Sequence, residues 1–407
     1  MRVLFLTSRM PYPPEGGDRF RVFHFLRTLA EAGHEVHLLT FDNQARARDE
    51  IAPLTRLTAG IDIVRLPVPL SSLRALRAIP GTRPLQLAYY DSRRMRSRAR
   101  ELVARVRPDV VYTHLFRMAP YALDSRGSHD ARIILDLTDV ISTGITRSLP
   151  YRAGPDRWIY TREGPRIERY ERAIAPHFDS CWVISEAEAR ALRALAPGAD
   201  VRVVPNGLPP GPASSPGPRE PGRLLFLGFQ EVFHNRDAAR FLAHDILPLV
   251  RARVPGATLD IAGRGSESLR RSLRGDGIRV LGYVGDLDET VAEAAVFVAP
   301  HRFAAGVQNK VVHALACGTP VVTTPVVREG LEPVPDDALG VGGTAAEIAD
   351  RVVELLRDPA LAARRAACGR AWVLERFHWG TALREFERCA SGDAAALPAA
   401  PLVAAAV

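Results

Sequence analysis

The stretch VFVAPHRFAAGVQNKVVHALACGTPVVTT, Val296 to Thr324, reads as strand, loop, helix and strand again. An apolar run ends at Pro300, a loop carries Gly306, and a helix is expected from about Val307, with Gln308, Asn309 and Lys310 in its first turn. Free backbone N–H groups and the positive end of the helix dipole make such a turn an anion site. Gly306 would let a phosphate approach the backbone, and Lys310 would add a full charge beside it. The plainer alternative is a helix that only caps a strand.

Composition singles out the same residues. Of 54 basic residues, 53 are arginine and one is lysine, Lys310. Asparagine occurs only at Asn43, Asn206, Asn235 and Asn309. A chain so depleted in both types keeps them where specific chemistry is a candidate, and Asn309 and Lys310 are adjacent.

Outward from this stretch, short apolar runs alternate with helical patterns. RLLFLG (223–228), ATLDIAG (257–263), IRVLGYV (278–284) and VFVAP (296–300) form one series. VLFLT (3–7), EVHLLT, DVVYTH (109–114), RIILDL (132–137) and SCWVIS (180–185) form another. Strands alternating with helices imply parallel βαβ units. Between the series lies PNGLPPGPASSPGPREPG, Pro205 to Gly222, with seven prolines and four glycines, which can continue neither a helix nor a central strand. The fold class is therefore α/β, with two Rossmann-like, doubly wound parallel-sheet domains facing a cleft at the carboxyl ends of their strands. The expected bounds are an acceptor-side domain at 1–204, a linker at 205–222, a second domain at 223–371, a helix at 372–390 packing back on the first domain, and a disordered tail at 391–407. A length of 407 residues suits two domains.

With 47% hydrophobic and 25% charged residues the chain reads as soluble and globular. Its four cysteines show neither metal-ligand nor disulfide-dense spacing, which suits a reducing cytoplasm. MRVLFLTSRM is too short an apolar run for an export signal, and no stretch reaches the ~18 apolar residues of a membrane span. From Arg74 to Arg107, ten arginines stand against Asp91 and Glu101, a local charge as large as the +8 of the whole chain. A solvated helix face is the plain reading, and a surface that meets anionic lipid headgroups, peripheral on the cytoplasmic face, or a phosphorylated acceptor is the sharper one. Nucleic acid is not expected, because no aromatics interleave with the charge.

Several blocks, in order, resemble glycosyltransferase family 4 of the GT-B fold, within it a bacterial branch associated with exopolysaccharide biosynthesis. In the second half they are FLGFQEVFHNRDAARFLAHDILPLVRARVPGATLDIAGRG, VLGYVGDLDETVAEAAVFVAP, GVQNKVVHALACGTPVV and ERFHWGTAL. In the first half they are PYPPEGGDRFRVFHFLRTLAEAGHEVHLLTF, RMAPY, DLTDV, YERAIAPHFDSCWVISEAEA and VVPNGL, so the likeness runs from Arg2 to about Glu387.

The resemblance implies a retaining transfer of sugar from a nucleoside-diphosphate sugar to a glycan or lipid-linked acceptor, with no separate cofactor and no metal. The diphosphate is expected on the amides of Gly306 and Val307, with Gln308, Asn309 and Lys310 around it. Gly263 and Arg264 would line the nucleotide side, the base would lie near Tyr283 and Val284, and Gly228 would leave the phosphates space. The loop PYPPEGGDRF (11–20) would reach across the cleft, with Gly16 and Gly17 permitting close approach, Asp18 capping the next helix and Arg19 facing the cleft. His114 and Asp139, each at the end of a strand, are candidates for the sugar or acceptor hydroxyl and for orienting the acceptor; a core histidine and a helix cap are the plain alternatives. The family's Glu-x7-Glu pair is replaced by Ala305 and His313, and its basic pair after the first strand by Phe229 and His234. His313 offers a ribose one acceptor and one donor where a carboxylate accepts two bonds. Lys310 becomes the leading group to neutralise the departing diphosphate, while domain closure across the linker would exclude water. The departures keep open a second reading, a weakened GT-B protein that binds nucleotide or glycan as a partner subunit. A sugar-nucleotide epimerase fits the blocks less well, and a nicotinamide oxidoreductase least, because no G-x-G-x-x-G follows a strand.

Overall fold

A computed structural model describes residues 1–43, 49–124, 126, 130–209 and 218–392. The first sheet has seven parallel strands, β1 (Arg2–Thr7), β2 (Glu35–Phe41), β3 (Gly60–Val64), β4 (Val110–His114), β5 (Arg132–Thr138), β6 (Ser180–Val183) and β7 (Val201–Val203), in the order β3-β2-β1-β4-β5-β6-β7. The second has six, β8 (Glu220–Leu227), β9 (Thr258–Ala262), β10 (Ile278–Gly282), β11 (Ala294–Ala299), β12 (Val321–Thr323) and β13 (Gly340–Val341), in the order β10-β9-β8-β11-β12-β13. In both, the first strand pairs with neighbours on either side, β1 with β2 and β4, β8 with β9 and β11. The strand order reverses there, and the crevice beyond those carboxyl ends is where open α/β sheets bind ligands.

Each sheet is covered on both faces, which is why its central strands are continuous apolar runs. In β1, Val3 and Phe5 join the core on one face, and Leu4 and Leu6 that on the other. In the second domain Leu225, Phe297 and Ala299 face one way, and Leu224, Phe226, Val296 and Val298 the other. The edge strands β3, β7 and β13 were not expected, being short and only partly buried.

Two boundaries differ from the sequence reading. β8 opens at Glu220 and takes in Pro221 and Gly222, so the extended segment includes the end of the proposed linker, whose residues 210–217 lie outside the described ones. The segment 372–390 holds parts of two helices, Pro359–Arg376 and Trp379–Ser391, parted at Phe377 and His378. The second of these lies on the helix Gly17–Glu31: Trp379, Ala382, Phe386 and Cys389 join the core of Phe25 and Trp182, with the Phe25 and Phe386 rings 5.9 Å apart. Residues 393–407 of the proposed tail lie outside the described residues.

Candidate functional site

On the second domain, Gly228 follows β8 and His301 lies just beyond β11. A Cβ at Gly228 would stand 2.9 Å from Asn235 Cγ, so the room there is filled by Asn235 rather than left for phosphate. Gly263, at φ 126°, lies so close that a Cβ would overlap the Gly228 carbonyl oxygen. Asn235 donates to Phe229 O at 3.0 Å, and its Oδ1 accepts from Lys310 Nζ. His301 Nε2 lies 3.2 Å from both Asn235 Oδ1 and Lys310 Nζ. Burial lowers Lys310 to about 7, pulls His301 well down, and with the Lys310 charge takes His234 to about 3. Both imidazoles are thus neutral, and His301 Nδ1 is buried without a partner. The helix beside them begins at Asn309, two residues later than expected, with Gln308 as its N-cap and no side-chain cap.

Across the cleft, two carboxylates of the first domain press on the Gly306 turn. The Gly306 N–H donates to Glu188 Oε1 at 3.1 Å, and Glu188 Oε2 accepts from Val140 N at 2.5 Å. A Cβ at Gly306, which has φ 54°, would overlap Asp139 Oδ1. In this structure the bare Cα of Gly306 admits Asp139, and its amide is taken by the Glu188 carboxylate. Asp139 Oδ1 is itself buried without a hydrogen-bond partner. Burial first, then Glu188, raises Asp139 to about 8, and burial raises Glu188 and takes Glu171 to about 7.

The loop after β1 spans the cleft. Glu15 accepts both guanidinium arms of Arg264 at 3.0 and 3.2 Å, Arg264 lies 5.1 Å from the ring of Tyr283, which is 70% exposed, and a Cβ at Gly17 would meet Asn309 Nδ2 at 3.8 Å. Val284 packs against the second domain's core. The helix starts at Gly17 with Gly16 as N-cap, so Asp18 sits inside the first turn and is not the cap; its Oδ1 accepts from Arg19 N at 3.0 Å. Asp18, Arg19, Arg9, Ser8 and His114 line a small recess. His114 is 2% exposed, faces Thr138 Oγ1 at 3.3 Å, and is lowered by burial to about 4.

A polar chain runs from the buried Arg21 to Asn309 of the second domain. Arg21 Nε contacts Asp136 Oδ2 at 2.5 Å, and its Nη1 donates to Val204 O at 2.9 Å and to Asn206 Oδ1 at 2.8 Å. Asn206 Nδ2 then donates to Asn309 Oδ1 at 3.1 Å. His313 Nε2 stands 2.6 Å from Asp288 Oδ1, and with Cys317 these form the group among the described residues whose ligand atoms lie within 4.8 Å of one another.

The sequence-derived residues thus fall into two facing sets. Gly228, Gly263, Arg264, Tyr283, Gly306, Val307, Gln308, Asn309 and Lys310 lie on the second domain, and Gly16, Gly17, Arg19, His114 and Asp139 on the first. His313 lies one helical turn beyond Lys310, turned to Asp288. Sequence reading missed Glu15, Glu188, Arg21, Asp136 and His301. It also passed over Asn206 and Asn235, although the scarcity of asparagine was a signal for both.

The chain matches two family models, a glycosyl transferase 4-like domain over residues 16–207 and glycosyl transferases group 1 over residues 221–358. It is 26% identical over 411 aligned residues to the glycogen synthase of Mycobacterium tuberculosis, covering 94% of this chain and 92% of that one. It is 32% identical over 212 residues to a phosphatidyl-myo-inositol mannosyltransferase of Mycobacterium leprae, covering 49% and 56%. Among solved structures, Anabaena HepE in complex with UDP superposes with a TM-score of 0.68 at 14% identity, over 96% of this chain and 100% of that one. With a transferase model on each half and two doubly wound sheets facing one cleft, the chain is a glycosyltransferase of the GT-B fold, family 4.

Proposed function

We propose that the chain transfers a sugar, with retention, from a nucleoside-diphosphate sugar to a glycan or lipid-linked acceptor in the making of cell-surface polysaccharide or glycoconjugate. The observation that carries this reading is Lys310, the chain's one lysine, set with Asn235 and His301 at the switch point of the second sheet. As the bond from the anomeric carbon to the diphosphate breaks, negative charge collects on the leaving group. Lys310 and the N-terminus of the helix Asn309–Ala316 would stabilise it, with Arg264 on the nucleotide side. Gly306 and Val307 would give up their present neighbours to the donor, Glu188 withdrawing from the Gly306 amide. Arg19 and His114 would face the sugar, and Asp139, protonated in its buried setting, would donate to or orient the acceptor hydroxyl. Tyr283 and Val284 would flank the base, and His313 would hold the ribose. The UDP seen in Anabaena HepE and the lipid acceptor named for the mannosyltransferase favour a uracil nucleotide and a lipid-linked acceptor. No metal requirement is proposed.

The weakened partner-protein reading rests on Ala305 and His313 in place of two glutamates. Calorimetric titration with UDP, GDP, ADP and dTDP, followed by release of nucleoside diphosphate on adding acceptor, separates the two. One tightly bound nucleotide, weakened by Lys310→Ala, together with turnover supports transfer; binding without turnover gives the chain to the second reading.

A further inference from the structure

The helix Val68–Ala78 carries its apolar side outward. Ser71 is its one buried residue, whereas Val68, Leu70, Leu73 and Leu76 are 50, 44, 42 and 61% exposed. Leu70, Leu73 and Leu76 recur at every third residue and so form one stripe. The opposite side, with Ser71, Arg74, Ala75 and Ala78, is the one turned to the protein. Such a concentration of exposed leucines on one short helix marks a surface that another phase or molecule covers.

Charge indicates which. A cavity of about 370 Å³ at the end of this helix is lined by Arg74, Arg77, Arg83, Gly81, Thr82 and Asp91, among others. Asp91 is the acid in that lining. Its backbone carbonyl accepts from Arg74, and its carboxylate lies 3.1 Å from Arg83 and 3.6 Å from Arg96. The expected basic surface of 74–107 is partly offset by carboxylates from outside it, Asp62 against Arg98 and Arg105, and Asp124 against Arg96. The cavity keeps more guanidinium than carboxylate, and Arg93, Arg94 and Arg100 are exposed on the helix Arg93–Val106 next to it. An outward leucine stripe bordered by arginines is the pattern of a helix that lies in an anionic lipid interface. No helix among the described residues is long and apolar enough to cross a membrane.

Hydrogen bonds link the neighbourhood of this cavity to the His114 recess. Ala88 lines the cavity, Gln86 two residues earlier accepts from Arg117 at 2.7 Å, and Arg117 donates to Ser8 at 2.9 Å in the lining of the His114 recess. We propose that the helix Val68–Ala78 seats the protein on an anionic lipid surface, its leucine stripe at the acyl boundary and the arginine cavity holding a lipid phosphate. This deepens the lipid-linked acceptor reading and rests on it.

Flotation of the full chain with vesicles tests it, using phosphatidylcholine alone and phosphatidylcholine with about one quarter phosphatidylglycerol, at about 0.1 M salt. Wild type should float with the anionic vesicles and not with the neutral ones. Leu73→Asp with Leu76→Asp, and separately Arg77→Glu, should each lower the bound fraction about tenfold, while Leu374→Asp, an equally exposed leucine on the other domain, floats as wild type. Thermal melts establish that each variant is folded. Equal flotation of wild type and the double leucine variant overturns the proposal, as does a wild type that floats with neither vesicle. Sedimentation as a dimer that Leu73→Asp abolishes would give the stripe to a second copy and overturn it too. Nucleotide binding by wild type without flotation defeats this inference alone, and flotation without nucleotide binding defeats the transfer reading alone.

Discussion

Asp139 of the first domain and Gly306 of the second meet so closely across the cleft that the glycine's missing side chain is the space the carboxylate occupies. Gly306→Ala must therefore either push Asp139 out or part the domains, and its φ of 54° adds strain of about 1–2 kcal/mol. A loss of about 2–3 kcal/mol in stability and of at least tenfold in turnover is expected. Adding Asp139→Ala should restore more than 1 kcal/mol of that stability, because the two residues are in direct contact; additive losses in the double-variant cycle would refute the clash.

Asp139 also sets a pH dependence. The folded protein holds its proton up to about pH 8, whereas the unfolded chain releases it near the ordinary carboxyl value of 3.8. Between those values the folded state binds more protons, so this group makes stability fall as pH rises. Glu188 and Asp136 strengthen the effect, and Arg21 opposes it. The melting temperature of Asp139→Asn relative to wild type should climb steadily from pH 5 to pH 8. A constant difference would show that Asp139 ionises normally.

At pH 8, Lys310 is mostly the free amine. Binding a nucleoside diphosphate favours its charged form, so binding should draw a proton from solution and weaken as pH rises above about 7. Calorimetry in two buffers of different ionisation enthalpy reads the uptake directly. Lys310→Met should abolish it and lower affinity about tenfold or more.

Arg21 is 2% exposed against an Asp136 that is fully buried. Removing one member of such a pair strands the other, at a cost of about 3–5 kcal/mol. Arg21→Met should lower stability by that order in urea unfolding, and Asp136→Asn in the same chain should recover part of it. Because Arg21 also holds Asn206, and Asn206 holds Asn309, nucleotide affinity should drop as well.

On the proposed reading, in which Lys310 and a helix end meet the charge on the leaving group, turnover should survive about 1 mM EDTA within twofold. A loss restored by zinc, and prevented from returning by Cys317→Ala, would instead assign a metal to Asp288, His313 and Cys317.

The doubly wound halves were legible because buried parallel strands are continuous apolar runs, as in β1 and β11, and the segment 296–324 reads directly as strand, turn and helix. The short edges β3 and β13 gave no such signal, since an edge strand buries too little to need the pattern. Lys310 was visible through scarcity, and so in principle were Asn206 and Asn235. Glu188 and Glu15 were not. Each is one carboxylate among 46 acidic residues, and its importance comes from the opposite domain, which only the folded arrangement brings near.

The 53 arginines are guanidiniums, charged at any ordinary pH and inert to acylation. Lys310 is the sole side-chain amine, and its burial leaves much of it unprotonated at neutrality. A mild acylating reagent should therefore modify this chain at one internal position, inside the cleft. A resident nucleotide would shield that position, so the extent of labelling read by mass spectrometry becomes a direct gauge of occupancy.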